Sequence, residues 1–147
     1  MQRRAFLTLA GSLCATASLV TLPARADEGV VVIANTPLRG VDAEAIKRIY
    51  GGRMVELDGQ PLRPVQLAAG QPLRRRFASA VLLQSDEDFI AYWTVRRYIG
   101  KGAPPRELSS SAEVIAHVQH TPGAIGYIDA ADLKPDLKPA LHVLLRR

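Results

Sequence analysis

Val30-Val31-Val32-Ile33-Ala34 is an unbroken run of apolar, mostly β-branched residues. Such a run is typical of a β-strand that is covered on both of its faces, as in a parallel sheet. Along the rest of the chain, short strand patterns are separated by helical patterns. Strands that alternate with helices predict an α/β fold with a doubly wound, mostly parallel sheet.

Capping and terminating residues mark the first two predicted helices. Asp42 is a candidate N-cap for a helix over Ala43–Tyr50, and Gly51 ends that helix. Pro72 stands at the first position of a second helix, where its missing N–H does no harm. This second helix is predicted over Leu73–Leu83 and turns its apolar residues towards a core.

Two capping boxes predict two further helices, which begin after Ser85 and after Ser110. Between them, residues from Gly100 to Leu108 are predicted to form a loop, because this stretch contains Gly102 and two consecutive prolines. The remaining strand patterns are Arg63–Ala68, Ala124–Ile128 and Leu141–Leu145. The order of all these segments is that of a single α/β domain.

The first 26 residues have the pattern of an export signal. A basic start precedes an uncharged stretch from Ala5 to Leu22, and Ala24-Arg25-Ala26 is a cleavage pattern. Arg3-Arg4 followed by A-F-L resembles the twin-arginine export signature, although a general secretory signal is the alternative route. We therefore expect residues 1–26 to be cleaved and residues 27–147 to form one periplasmic domain. A retained anchor helix is the alternative for the first segment.

Removal of that segment changes what the composition implies. The 147 residues include 19 Lys and Arg against 14 Asp and Glu, a net charge of +5. Residues 1–26 hold three arginines, no acidic residue and the single cysteine, so the remaining 121 residues carry +2 and no cysteine. This composition argues against a nucleic-acid partner, a disulfide framework and a thiol nucleophile.

Catalytic and metal-binding motifs do not stand out in the sequence. It contains no G-x-S-x-G, H-E-x-x-H or P-loop pattern. Serines such as Ser85 and Ser110 stand at predicted helix starts, where a role as N-cap accounts for their presence without a catalytic role. His117 and His120 lie three residues apart on a predicted helix, and two histidines are an incomplete metal site. We expect no enzymatic activity, no metal and no cofactor.

Three motifs follow one another in a recognisable order. They are Ile49-Tyr50-Gly51-Gly52-Arg53, then Leu73–Phe77 with Tyr92-Trp93 and Gly100-Lys101-Gly102, then Thr121-Pro122-Gly123-Ala124-Ile125-Gly126-Tyr127. Their order and spacing resemble one lobe of the phosphate-type periplasmic substrate-binding proteins of ABC transporters, whose segments read "iF-x-G-k" and "tpGaIGY". The resemblance spans about residues 29–129. It implies one lobe of a fold that has two in that family.

Candidate ligand residues follow from the sheet type and the resemblance. In doubly wound sheets, ligands bind beyond the carboxyl ends of the strands, which here are Asn35-Thr36 and Ala69-Gly70-Gln71. Both loops lead towards helix N-termini, whose free N–H groups favour anions. Arginines 74 to 76 add positive charge to the second of these helices. The predicted ligand-binding residues are Asn35, Thr36, Gly70, Gln71, Arg74 and Arg75.

The loop at the start of the second helix departs from the family's pattern. The family binds phosphate with a loop resembling R-x-x-S-G-T, whereas residues Leu67–Pro72 read L-A-A-G-Q-P. The Arg, Ser and Thr donors are therefore missing, and Pro72 has no N–H. What remains is a generic arrangement that attracts anions, namely a helix start and nearby arginines.

The sequence is compatible with two functions. The first is a solute-binding protein that takes phosphate or another small oxyanion at the helix start near Gly70 and Arg74. The second is a single-lobe interaction or sensory partner module of the cell envelope, without high-affinity ligand binding. A membrane transporter or a sensor protein would be its partner, and a homodimer could rebuild a two-lobed cleft from two copies.

Overall fold

The computed structural model describes residues 29–137 and 140–147. The predicted export signal, residues 1–26, lies outside the described residues. Within the described part, five strands form one sheet and two short strands form a separate hairpin. None of the helices in these two ranges is long and apolar enough to cross a membrane.

The strands and helices follow the predicted alternation. The strands are β1 (Val30–Ala34), β2 (Glu56–Leu57), β3 (Gln60–Pro61), β4 (Arg63–Leu67), β5 (Arg106–Leu108), β6 (Ala124–Asp129) and β7 (His142–Arg146). The helices are α1 (Ala43–Tyr50), α2 (Pro72–Phe77), α3 (Asp86–Tyr98) and α4 (Ser111–His120). A π-helical turn (Ala78–Leu82) continues α2, and two short 3-10 turns (Ala130–Asp132 and Pro135–Leu137) follow β6.

The predicted sheet class is confirmed, with one strand as the exception. The strand order is β5-β4-β6-β1-β7. Strand β4 pairs in parallel with both β5 and β6, whereas β1 pairs antiparallel with β6 and β7. Four of the five strands therefore run in one direction, and β1 alone runs against them.

Helices cover both faces of the sheet, as a doubly wound fold requires. Gly126 in β6 faces α4 so closely that an added Cβ would lie 2.5 Å from Cγ1 of Val114. The next residue, Tyr127, points to the opposite face, because successive side chains of a strand alternate. Its ring stacks on Phe77 of α2, with the ring centroids 3.9 Å apart.

Two buried tyrosines stabilise β4 where it separates from β6. The paired residues of these two strands are Arg63 with Ala124 and Pro64 with Ile125, so the later part of β4 lacks a neighbouring strand on this side. The Tyr50 hydroxyl donates to the Val65 carbonyl at 2.8 Å, and the Tyr127 hydroxyl accepts from the Leu67 N–H at 3.0 Å. Burial raises the pKa of both tyrosines, so both stay neutral.

The structure differs from the sequence-based prediction at β5 and at the second helix, and it adds the short strands β2 and β3. Strand β5 lies at the end of the stretch that was predicted to be a loop, Gly100–Leu108. The prediction was wrong there because β5 is only 3 residues long and follows Pro104-Pro105, so its pattern carries little signal. The second helix was predicted to continue to Leu83, but its α-helical part ends at Phe77, and a π-helical turn takes over.

Candidate functional site

The carboxyl edge of the sheet is the place where this fold class binds ligands. We use "carboxyl edge" for the loop Ala68–Gln71 that follows β4, together with residues Asp129 and Ala130 at the end of β6. After β4 the chain turns towards β5 on one side, and after β6 it turns towards β7 on the other. Open α/β sheets leave a crevice where neighbouring strands diverge in this way.

Gly70 and Gln71 shape the loop after β4. Gly70 has a φ of +88°, which glycine adopts without strain, and its carbonyl accepts a hydrogen bond from Arg75 Nη1 at 2.9 Å. Gln71 Nε2 donates to the Ser109 carbonyl at 2.8 Å and so ties this loop to the loop after β5. The Gln71 side chain does not cap α2, and Pro72 follows it. The start of α2 therefore offers an oxyanion little beyond its remaining N–H groups.

Arg74 is buried and makes three hydrogen bonds within the domain. Its Nε donates to Asp86 Oδ1 at 2.7 Å, and its Nη1 donates to Glu107 Oε1 at 2.7 Å and to the Leu67 carbonyl at 2.9 Å. Only 4% of the Arg74 side chain and 5% of the Asp86 side chain are exposed. Burial lowers the pKa of Arg74, but the bonds to Asp86 and Glu107 outweigh burial and leave the pKa raised. Arg74 is thus a cation whose charge is neutralised by two carboxylates of the same chain.

The other two arginines of the run also have intramolecular partners. Arg75 is exposed and donates to Gly70, as described above. Arg76 Nη2 donates to Asp129 Oδ2 at 2.8 Å, across the carboxyl edge. Burial raises the pKa of Asp129, but the Ala131 N–H and Arg76 outweigh this and leave the pKa lowered. An ion pair therefore joins α2 to the carboxyl end of β6.

Asn35 and Thr36 lie at the opposite edge of the sheet from Gly70. Because β1 runs antiparallel to β6, its end lies beside the beginning of β6, and Asn35 Nδ2 donates to the Thr121 carbonyl at 2.9 Å. Thr36 Oγ1 in turn donates to Asn35 Oδ1 at 2.9 Å. The structure therefore does not bring Asn35 and Thr36 together with Gly70.

Three acidic residues of this region were missed in the sequence. Asp86 was assigned to a helix start, Glu107 to a loop, and Asp129 followed a predicted strand. Arg74 meets Asp86 and Glu107 only through the fold, since they lie 12 and 33 residues further along the chain. A buried partner at such separations leaves no periodic signal in one sequence. The capping pattern S-D-E-D did locate Asp86 correctly at the start of α3.

Histidines and carboxylates do not assemble into a metal site in the part of the chain that is described. No group of three or more His, Cys, Asp or Glu side chains with the right proximity occurs there. His120 Nδ1 lies 2.7 Å from the Ala116 carbonyl of its own helix. Burial lowers the pKa of His117, and the nearby charge of Arg106 lowers it further.

Comparisons with known proteins identify the fold through structure rather than sequence. No family model matches this chain. No curated protein matches it either. An ABC-type phosphate transport receptor from Vibrio cholerae is similar in structure, with a TM-score of 0.59 and 18% identity over 79% of this chain and 45% of that one.

Two further solved structures show the same relation. A phosphate ABC transporter substrate-binding protein from Clostridium perfringens, solved with bound phosphate, gives a TM-score of 0.57 at 19% identity and covers 79% of this chain and 44% of that one. PstS from Borrelia burgdorferi gives a TM-score of 0.56 at 14% identity, and the match covers 79% of this chain and 46% of that one. This chain therefore spans less than half the length of each protein. It has the α/β fold of one lobe of these phosphate transport receptors.

Proposed function

We propose that this lobe works in the cell envelope as an interaction or sensory partner module, without high-affinity binding of an oxyanion. The burial of Arg74 between Asp86 and Glu107 carries this proposal. A phosphate dianion at the carboxyl edge would need positive charge and hydrogen-bond donors that are free to meet it. Arg74 and Arg76 instead meet carboxylates of their own chain.

Desolvation makes it costly to release Arg74 for a ligand. If an oxyanion took Arg74 from its partners, Asp86 would remain as a buried, unpaired carboxylate, because only 5% of its side chain is exposed. An uncompensated buried charge costs several kcal/mol, on the order of the binding free energy of a millimolar ligand. The structure therefore favours the closed ion-pair arrangement over one that opens for an anion.

The partner class of such a module is a membrane transporter or a sensor protein of the envelope. Export by the signal at residues 1–26, by the twin-arginine or the general secretory route, would place the domain in the periplasm. The likeness covers less than half of the length of each solved structure. The surface of the lobe that the structure describes is available for contacts with such a partner.

Oxyanion binding is the second candidate function. It is favoured by the likeness to a substrate-binding protein that was solved with bound phosphate. At the carboxyl edge the groups left for it are the exposed Arg75 and the loop at Gly70 and Gln71. A site of this kind would be open to solvent and therefore weak, since exposed ion pairs contribute little.

Isothermal titration calorimetry of the purified protein with inorganic phosphate, and with sulfate as a second oxyanion, tests the proposed function. We expect no binding heat at micromolar concentrations of either anion, because Arg74 and Arg76 are already paired with carboxylates. The variant Arg75→Ala should give the same result as the natural protein. Micromolar binding of phosphate that is lost in Arg75→Ala would contradict the proposal and favour the second candidate.

A further inference from the structure

A cavity of about 260 Å³ lies between the end of α1, the π-helical turn and the first half of α3. We use "basic pocket" for this cavity, whose described lining includes three cations and three apolar or aromatic residues: Lys47, Arg48, Arg53, Leu82, Phe89 and Tyr92. It shares no residue with the carboxyl edge. The basic pocket is therefore a cavity apart from the loops at which this fold class binds ligands.

Two arginines of the basic pocket have no acidic partner within the part of the chain that the structure describes. Lys47 is paired with Glu44 at 3.1 Å, and Glu44 is the one acidic residue among the described residues that line the pocket. The ion pairs of the described residues include neither Arg48 nor Arg53, and both arginines are exposed. Their two positive charges are therefore available to an anion.

The carbonyl groups at the end of α1 do not engage these arginines either. The Lys47 carbonyl accepts the Gly51 N–H at 2.9 Å. The Arg48 carbonyl accepts the Arg53 N–H at 2.8 Å, and the Gly51 carbonyl accepts the Tyr92 hydroxyl at 2.7 Å. Because backbone and tyrosine donors already satisfy these acceptors, the guanidinium groups of Arg48 and Arg53 can donate to a ligand.

Apolar and aromatic groups form the inner part of the basic pocket. Leu82 and Phe89 belong to the hydrophobic core and are buried. The hydrogen bond of its hydroxyl holds the Tyr92 ring in place, and the guanidinium carbon of Arg53 lies 5.9 Å from the ring centroid. A fixed ring beside a guanidinium group offers contacts to a flat apolar group and to a negative charge together.

Arg96 adds a further positive charge beside Tyr92. Its guanidinium carbon lies 5.5 Å from the Tyr92 ring centroid and 5.4 Å from that of Trp93. Its Nη2 donates to the Lys101 carbonyl at 3.1 Å, whereas its buried Nε has no hydrogen-bond partner among the described residues. Charge of one sign along a cleft raises the local concentration of ions of the opposite sign, so the basic pocket attracts anions.

We propose that the basic pocket binds a small aromatic carboxylate, with the carboxylate at Arg48 and Arg53 and the ring against Phe89 and Tyr92. The fork of a guanidinium group matches the two oxygens of a carboxylate. Exposed ion pairs contribute little, so the ligand needs the apolar contact of its ring as well. The cavity has the volume of about nine water molecules at ~30 Å³ each, which suits one ring with one carboxylate.

This inference goes beyond the proposed function, because it gives the sensory form of the module a ligand. The two proposals are tested with different anions, at places that share no residue. Failure of an aromatic carboxylate to bind would overturn only the ligand of the basic pocket. Micromolar binding of phosphate that Arg75→Ala removes would overturn only the proposed function.

Two-dimensional proton–nitrogen NMR of the purified protein, titrated with benzoate, tests the ligand of the basic pocket. We expect saturable shifts of the Gly51 and Tyr92 amide signals with a dissociation constant of about 1 mM or below. The Gly70 amide signal, which reports on the carboxyl edge, should not shift. Benzamide has the ring without the charge, and acetate has the charge without the ring. Each should bind at least about tenfold more weakly than benzoate.

Substitution of the two arginines locates the site. Arg48→Gln and Arg53→Gln should each raise the dissociation constant of benzoate by about threefold to tenfold, because each loses a charged donor. Arg39→Gln is the matched control, since Arg39 is exposed, precedes α1 and does not line the pocket, so this variant should bind benzoate as the natural protein does. Circular dichroism checks that the variants are folded, as expected for exposed positions.

Three results would each overturn the proposal. The first is the absence of a saturable shift up to about 20 mM benzoate. The second is an affinity for benzamide or acetate equal to that for benzoate. The third is an unchanged affinity for benzoate in both Arg48→Gln and Arg53→Gln.

Discussion

Replacement of Arg74 by alanine is expected to lower the free energy of unfolding by about 3–5 kcal/mol, the range found when one partner of a buried ion pair is removed. The loss arises because Asp86 keeps its place with only 5% of its side chain exposed and loses the partner 2.7 Å away. The Leu67 carbonyl would lose a hydrogen-bond donor as well. Urea unfolding followed by circular dichroism measures the change.

Arg75→Ala is the matched control, because it removes the same side chain from the next, exposed position. Its free energy of unfolding should stay within about 0.5 kcal/mol of the natural value, as for most surface changes. Arg74→Lys keeps the charge but loses the guanidinium geometry that reaches two carboxylates, so its stability should fall between those of the natural protein and Arg74→Ala. Equal stabilities of Arg74→Ala and Arg75→Ala would show that Arg74 has no structural role.

Replacement of Gly123 by alanine is expected to lower the free energy of unfolding by about 3 kcal/mol. Gly123 has a φ of +75°, and an added Cβ would collide with the carbonyl oxygen of Pro61. The strain of a left-handed alanine contributes about 1–2 kcal/mol to this loss. Overpacking of the Cβ against rigid backbone contributes about the same amount. The Gly123 carbonyl also accepts the Arg63 N–H at 2.8 Å, so a shift here disturbs the start of β4.

Gly40→Ala separates the two contributions. Gly40 has a φ of +69°, close to that of Gly123, but an added Cβ would meet no atom within 4 Å. This control should therefore lose only the strain contribution, about 1–2 kcal/mol. Thermal unfolding of both variants gives the comparison. If Gly123→Ala were no less stable than Gly40→Ala, the close approach of Pro61 to Gly123 would be incorrect.

Local signals predicted three of the four α-helices in the described part of the chain well. The helix over Ala43–Tyr50 has the predicted bounds, with Asp42 accepting the Ala45 N–H at 2.8 Å and Gly51 as its C-cap. Ser85 and Ser110 likewise cap the helices that their boxes predicted. Such signals depend on residues three or four apart, so one sequence contains them entirely.

Strand direction could not be predicted in the same way. The run Val30–Ala34 is buried on both faces, as predicted, but burial is equal for a parallel and an antiparallel central strand. The reversal of β1 moved Asn35 and Thr36 away from the carboxyl edge and divided the predicted ligand residues between two edges. Gly70, Gln71 and Arg75 do lie together, whereas Arg74 lies inside the domain.

The pairing of Arg74 explains why a fold shared with phosphate receptors need not bind phosphate in the same way. The loop Leu67–Pro72 lacks the hydroxyl donors of the family's pattern. The arginine that follows it is held by acidic residues of α3 and β5 instead. The fold positions a helix start at the carboxyl edge, and Arg74 and Arg76 beside it pair with acidic residues of their own chain.

Nitrogen-15 NMR of the Arg74 Nε–H group during a titration with inorganic phosphate tests this central point most directly. The bond from Nε to Asp86 predicts a side-chain signal that is protected from solvent exchange and keeps its chemical shift up to millimolar phosphate. The Arg74→Lys variant assigns the signal by its disappearance. A saturable shift of the Arg74 signal at micromolar phosphate would contradict the structure's assignment of Arg74 to the interior and would make it a ligand of the anion.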